Sequence, residues 1–501
     1  MPKVDYQRQM FKQIEELMNK CNDLSSEIKR IKYQNSNEII NLKKEHRKEI
    51  KKLNEKIIVL EEENNKLKKE NQILREDNDR LKKIINNDSS NSSKPPSTDI
   101  KPNKKICNSR EKSNKKSGGQ NGHKAHNLSK SAVEEKIKNG ELEHKVVKHG
   151  NEKEKYVTRY ILDIQIGVVA EEHRFYPDEN GKYNIPEEFK ADVQYGTNLK
   201  TMCVSLNAEE YVALDRIKEF IANITSLKLT PSKGTIVNFI KECDEKSQNT
   251  IDKIKEKILN SPLMHTDATV SRCNNKNQSV RNYSTNEITL LVGTEGKSIK
   301  HIEETNILPI YTGALIHDHE TAIYNYGGKH GECNVHILRY LKSCVETTNH
   351  KWANDLGNFL CCINNSKKEL KSNGKNGFKE KQLERFSNRY DEIVQNGFEE
   401  NKDLDSKYYK EDEKRLLRRL QKYKENHLLF ACDFDIPFDN NLSERDLRHV
   451  KSKLKISGCF RNERGMQQYL NIRSIISTCK KMALNSYTAL ENIFKNIPVE
   501  I

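Results

Sequence analysis

Residues 263–270 read LMHTDATV, residues 287–293 read EITLLVG and residues 313–318 read GALIHD. Each is a short apolar run of strand length. The first carries Asp267 and the third ends on Asp318. A carboxylate on a buried strand is costly unless it is paired or binds a metal. Two on adjacent strands repel each other in a low-dielectric core, and a divalent cation resolves that repulsion. A third acid, Glu444, sits in DNNLSER (439–445), where a turn at Pro437 leads into helix-patterned chain. Each acid alone also reads as a strand-end or N-capping carboxylate, and among 73 acids composition does not single these out. Together they fit phosphodiester chemistry, in which two Mg²⁺ ions about 3.5–4 Å apart stabilise the attacking and leaving oxygens.

On either side of these strands the pattern is helical. Residues 337–430 form a long, charged, helix-patterned stretch with the only tryptophan, Trp352, placed as core. Residues 198–260 are helical in pattern too. Within them VALDRIKEFIANITSLKLTPSKGTIVNFIKEC (212–243) has two apolar-periodic runs separated by a turn. Thr230 is the expected N-cap and Pro231 the first helical residue of the second run. That is the outline of a helix-turn-helix, and ordinary helical packing is the alternative. Residues 130–190 hold alternating apolar segments such as YILDIQIGVV (160–169), which predict short strands.

No Gly or Pro occurs between Lys3 and Pro95. Residues 8–85 therefore read as one long helical region whose apolar residues alternate three and four apart. The seam runs through Met10, Ile14, Leu17, Cys21, Leu24, Ile28 and Ile31. It resumes, shifted by one residue, at Ile50, Leu53, Ile57, Leu60, Asn64, Leu67, Asn71, Leu74, Asn78, Leu81 and Ile85. The polar segment Tyr33–Glu38 is the expected break. Leu at d with Asn at a predicts a parallel two-stranded coiled coil, because paired amides satisfy each other across the seam. A single amphipathic helix packed on its own domain is the bland alternative. The chain from Asn86 to Asn127 is dominated by Asn, Ser, Pro and Lys. From Lys94 to Lys116 it carries eight Lys or Arg against Asp99 and Glu111. This reads as a solvated tether, a basic arm that tracks phosphates, or both.

The 501-residue chain is 34 % hydrophobic and 32 % charged, against a usual ~45–50 % and ~25 %. Its net charge of +15 favours a polyanionic partner. No apolar run reaches about 18 residues, so no membrane span is expected. The start, MPKVDYQRQM, has no apolar core of a signal peptide. Twelve scattered cysteines without a C-x-x-C fit a reduced cytoplasmic protein better than a disulfide scaffold.

The segment DNNLSERDLRHVKSKLKISGCFRNERG (439–465), continued by IRSIISTCKKMALNSYTALENIF (472–494), resembles the C-terminal signature of the IS66 family of insertion-sequence transposases. IHDHETAIYNYGGKHGECNVHILRYLKS (316–343) is similar to that family's second-acid block and matches it at His330, Cys333, Asn334, His336 and Arg339. MHTDATVSR (264–272) resembles the first-acid block. NSSKPPSTD (91–99) and GGQNGH (118–123) resemble its N-terminal hallmarks. Two positions depart from the pattern: Ala268 stands where a Glu is usual and Val270 where a Gly is usual. The resemblance implies an RNase H-like core and an Asp-Asp-Glu triad of Asp267, Asp318 and Glu444. These three would be both catalytic residues and ligands of two Mg²⁺ ions, with Mn²⁺ as a substitute.

Many family members carry a cysteine zinc module after the linker. No cysteine lies between Cys107 and Cys203 here, so no zinc is predicted, and Cys333 with His336 is read as structural.

The expected fold class is multidomain α+β. A coiled coil (1–88) mates through Leu53, Leu60, Asn64, Leu67, Asn71, Leu74, Asn78 and Leu81. A basic linker (89–127), a small β-rich region (128–190) and a helical region (191–260) for DNA binding follow. An RNase H-like core (261–465) holds a helical insertion at about 337–430, and C-terminal helices (466–501) end the chain. Phosphate contacts are assigned to Arg445, Arg448, Lys451, Lys453, Lys455 and Arg461, and to Lys105, Lys112, Lys115 and Lys116 in the linker. The partners implied are double-stranded DNA, as element ends and target, a second copy of the chain, and companion proteins of the element. The alternative reading is a decayed or domesticated transposase that binds DNA without cutting it.

Overall fold

The structure, a computed structural model, describes residues 3–92, 129–149, 157–187, 189 and 191–501. Two compact units make it up: Met1–Asn86 with Leu404–Glu411, and Asn87–Asp403 with Asp412–Ile501.

The first unit is built on helix α1, Lys3–Asn86. Asp5 in its first turn and Lys83 in its last complement the helix dipole. The helix runs unbroken through Tyr33–Glu38, so the expected break is only a change of seam phase. Polar residues there cost a few tenths of a kcal/mol each, and none interrupts the backbone ladder as Pro would. The seam residues are exposed along its length, Leu60 at 61 % among them. Ser406 Oγ donates to the Asp79 carboxylate at 2.6 Å, and Tyr409 Oη to the Asp79 carbonyl at 3.1 Å.

In the second unit, residues 89–92 are not free tether. Ser89, Ser90 and Asn91 are buried. Lys342 Nζ donates to Ser90 Oγ, and Asn91 Nδ2 to Glu346, each at 2.6 Å. Helix α2 (Lys130–Lys138) follows, capped by the Ser129 side chain. The strands expected at Tyr160–Val169 do not form. Among the described residues of 128–190 only an isolated bridge, Pro177 to Tyr183, is β structure. Alternation extends the chain, but a ladder needs a facing strand, and Ile161 stays 92 % exposed.

Helices α3 (Thr197–Ala208), α4 (Leu214–Ile224) and α5 (Lys233–Leu259) come next. The turn into α5 is capped by Ser232, whose side chain accepts from Thr235 N, rather than by Thr230. Pro231 therefore precedes the cap and is buried. Strands β1 (Leu263–Cys273), β2 (Lys276–Ser284) and β3 (Thr289–Thr294) form an antiparallel meander. Its first turn is Asn274–Asn275 at φ +48° and +58°, the conformation a two-residue hairpin requires. A short helix α6 (Ile299–Glu303) leads to β4 (Ala314–His317), and a 3₁₀ turn leads on to β5 (Lys329–Glu332). The sheet order is β3-β2-β1-β4-β5, with β4 parallel to β1 and β5 parallel to β4.

Helices α7 (Asn334–Thr348), α8 (Lys351–Ser372), α9 (Glu380–Lys402), α10 (Lys407–Lys422) and α11 (Lys424–Cys432) fill the long charged stretch. They have an apolar cluster of their own, with Trp352, Leu356, Tyr390, Leu417 and Phe430, as expected for Trp352. Helices α12 (Asn441–Ser457), α13 (Glu463–Lys481) and α14 (Ser486–Phe494) end the chain, and Gly458 closes α12 at φ +74°. One apolar core joins α3–α5, β1–β3 and α12–α14. The expected boundaries at 260/261 and 465/466 thus fall inside a single packed body.

Helix α13 also covers the free edge of the sheet. The outward N–H groups of Thr289, Leu291 and Gly293 donate to Thr478 Oγ1, Ser474 Oγ and Gln467 Oε1 at 3.1, 2.9 and 3.0 Å. Side-chain acceptors take the place of a further strand and protect the edge from pairing.

Candidate active site

Asp267 lies on β1, and Asp318 is the residue after β4. The register pairs Leu263 with Ala314 and His265 with Ile316. Carried two residues on, it sets Asp267 level with Asp318. The two charges interact: burial and the Asp318 carboxylate push Asp267 up to about 6, against the pull of Lys297 and Arg281. Burial also works against Asp318, but His336 outweighs it and holds Asp318 below the ordinary value. Ala268 follows Asp267 on the strand, so its side chain lies on the opposite sheet face. The Glu usual at that position would sit away from the two acids. Val270 is exposed.

Glu444 stands in the first turn of α12, which is held to the sheet by three buried polar residues. Asn440 Nδ2 donates to Thr266 O at 3.0 Å, leaving Oδ1 to accept from His265 Nδ1 at 2.9 Å. Asn440 N also donates to Cys333 Sγ at 3.3 Å. Asn282 of β2 accepts from Asp267 N at 2.9 Å and donates to Ser443 Oγ at 3.1 Å. Asp446 accepts from Ser284, Thr289 and Lys481 at 2.6, 2.9 and 2.7 Å. Ser443, Asp446, Leu447 and Val450 face inward at helical spacing, which turns Glu444 away from the core.

His336 in the first turn of α7 links the second and third acids. Its Nδ1 is 3.1 Å from Asp318 Oδ1 and its Nε2 is 4.0 Å from Glu444 Oε1. Arg339 Nη1 lies 3.2 Å from the same Nε2. Burial disfavours the imidazolium, yet Asp318 and Cys333 push His336 up to about 11. The three predicted acids are therefore brought together, two across parallel strands and the third by way of His336. Sequence reading missed the supports Asn282, Asn440, Ser443 and Asp446. The only signal for the last three was their spacing around Glu444.

A buried polar cluster backs the second acid. Glu332 accepts from Arg419 Nη2 at 2.6 Å, from His319 Nδ1 at 3.1 Å and from Tyr324 Oη. Burial would raise this carboxyl, but His319, His427 and Arg419 hold it far below its ordinary value. The matched His330 pairs with His317 at 3.1 Å, and Asn334 Nδ2 donates to His427 O at 3.1 Å.

Of the expected phosphate contacts, Arg445, Arg448, Lys451, Lys455 and Arg461 are exposed, the first four in a stripe along α12. Lys453 is a correction. It is 7 % exposed, donates to Asn207 O at 3.1 Å and lies over the Tyr469 ring. Its position is one helical turn past Val450, on the buried face. Lys105, Lys112, Lys115 and Lys116 lie outside the described residues.

Set against known families, residues 192–468, more than half of the chain, match a model described as Transposase IS66 family. Residues 37–129 match a family of unknown function, DUF6444. No curated protein matches the chain.

Proposed function

The chain belongs to the IS66 family of transposases, and from that premise we propose that it cleaves and rejoins DNA at the ends of an insertion sequence through Asp267, Asp318 and Glu444. The observation that carries the reading is that Asp318 and Glu444 meet at His336 while the strand register sets Asp267 level with Asp318. The strand order β3-β2-β1-β4-β5 supports an RNase H-like core, with α7–α11 as its helical insertion.

The residues fit divalent metal. Asp267 and Asp318 repel each other, and the one partner of the buried Asp318 Oδ1 among the described residues is the His336 imidazole at 3.1 Å, out of hydrogen-bond alignment. Asp267, Asp318 and Glu444 would hold two Mg²⁺ ions, or Mn²⁺ in their place. When bound, such ions activate water or a DNA 3′-hydroxyl and stabilise the leaving oxygen. The chain's own part is positioning. Asn282, Asn440 and Ser443 fix the strand and helix that present the acids. The stripe Arg445, Arg448, Lys451 and Lys455, with Arg461, would hold backbone phosphates beside them.

Helix α1 would mate with a second copy. Leu53, Leu60, Leu67, Leu74 and Leu81 pair across the seam, while Asn64, Asn71 and Asn78 favour parallel strands in register. The basic segment 89–127, the region 128–190 and helices α3–α5 remain the proposed DNA-binding parts. No helix among the described residues is long and apolar enough to cross a membrane. A cytoplasmic protein acting on double-stranded DNA, with companion proteins of the element, completes the reading. Ala268 does not favour the decayed alternative, because its side chain is turned to the other face of the sheet.

The test is strand cleavage and transfer on DNA carrying the element's ends, with Mg²⁺ or Mn²⁺. Wild type is expected to act only with metal. Asp267→Asn, Asp318→Asn and Glu444→Gln are each expected to fall to background while binding DNA as before. Binding without cleavage by wild type, with companion proteins present, would instead establish a DNA-binding protein.

A further inference from the structure

Cys333 is the N-cap residue of α7, and His336 is three residues on. That spacing turns both side chains toward the end of β4. Asp318, Cys333 and His336 each bring one ligand atom there, and the three atoms lie within 4.8 Å of one another. Cys333 is 2 % exposed and His336 7 %.

His336 Nδ1 and Asp318 Oδ1 face each other at 3.1 Å as a charged pair, yet among the described residues neither atom has a hydrogen-bond partner in good alignment. Buried polar atoms are nearly always satisfied, and a simple His–Asp pair would align to satisfy both. Here an imidazole nitrogen, a carboxylate oxygen and a sulfur converge instead. Ligands about 2.0–2.3 Å from a tetrahedral zinc ion are about 3.3–3.7 Å from each other; here the Asp318 and His336 atoms are 3.1 Å apart and the sulfur lies within 4.8 Å of both. The surroundings are those of a ligand set. Asn440 N donates to Cys333 Sγ at 3.3 Å. Nε2 of His336 lies 3.2 Å from Arg339 Nη1 and 4.0 Å from the Glu444 carboxylate, which fixes the ring with Nδ1 turned to Asp318.

We propose that Asp318, Cys333 and His336 form a site for a borderline-soft divalent cation of the zinc class. Thiolate and imidazole select such ions, whereas Mg²⁺ prefers an all-oxygen set. The site shares Asp318 with the triad proposed above, and it stands or falls independently of catalysis there. As the metal–sulfur bond forms, the thiol proton passes to solvent and no electron is transferred. Three protein donors leave a fourth position for water or a substrate oxygen. The bound ion would tie the end of β4 to α7 and so fix the second acid. The C-x-x-H pair alone reads as structural; Asp318, distant in sequence, makes it a set of three.

The full chain, stripped of metal with a chelator, would be titrated with Co²⁺. The expected result is a near-ultraviolet thiolate-to-cobalt band saturating at one ion per chain. Zn²⁺ should abolish it and excess Mg²⁺ should not. The band should vanish in Cys333→Ser and in His336→Ala, with circular dichroism confirming that both are folded. It should persist in Asp267→Asn, which keeps all three ligands. An absent band in wild type, or an undiminished one in folded Cys333→Ser, overturns the site. Loss of DNA cleavage in Asp267→Asn with the band intact separates this result from the triad's.

Discussion

Helices α1 and α13 use opposite halves of the same chemistry. Along α1 the apolar residues are exposed, from Met10 to Ile85, and besides contacts such as the Ser406 and Tyr409 bonds to Asp79 the helix rests on its own backbone hydrogen bonds. Along α13 polar residues are buried: Gln468, Asn471, Arg473, Ser474, Ser477 and Thr478. Each arrangement would be costly if nothing answered it. In α13 much of the answer lies within the chain, since Ser474 and Thr478 take edge N–H groups of β3 and Arg473 Nη1 donates to Ala208 O at 3.3 Å. In α1 the heptad has no charged seam positions from Ile50 to Ile85, and the answer we propose is an identical helix. On the proposed pairing, regular repetition marks a surface meant for a copy of itself. Irregular polarity marks a surface fitted to one particular neighbour.

Three substitutions test that contrast. The largest effect is expected at the α12–α13 junction, where Asp446 receives Lys481 in a buried pair. Asp446→Ala leaves that ammonium without its carboxylate and should cost about 3–5 kcal/mol in urea unfolding of the second unit. A change under 1 kcal/mol would mean that the Thr285 and Ile288 carbonyls suffice for Lys481. Next, Ser474→Ala strands the buried Leu291 N–H and should cost about 1–3 kcal/mol, with faster amide exchange confined to β3. Unchanged exchange would show that α13 merely lies against the edge. The smallest effect on that unfolding transition, close to zero, belongs to Leu60→Ala in α1. There the loss should instead lower the oligomer mass measured by light scattering. An unaltered mass would break the contrast, because the seam would then have no mate.

The sequence located much of this molecule because its strongest signals are local. The absence of Gly and Pro made α1 legible, and the apolar runs at 263, 287 and 313 became β1, β3 and β4. Strands β2 (KNQSVRNYS) and β5 (KHGE) went unread. Their buried side chains include Ser279, Arg281, Asn282 and Glu332, polar groups that are affordable only with partners elsewhere in the fold. The segment at Tyr160–Val169 erred the other way, since its alternation is local and the missing partner strand is not. Lys453 read as one more surface cation, because charge is visible in sequence and burial is not.

Local chemistry alone thus determined the long N-terminal helix and its repeat, the helical stretches and the acids worth attention. The tertiary structure decided the rest. It set Asp267 level with Asp318, drew Glu444 to them through His336, and stapled α12 to β1 with Asn440. It also folded α3–α5 and the C-terminal helices into the core of the sheet. The reason is physical. Backbone preference and apolar period act over a few residues. A polar group's cost depends on which distant atom meets it once the chain is folded.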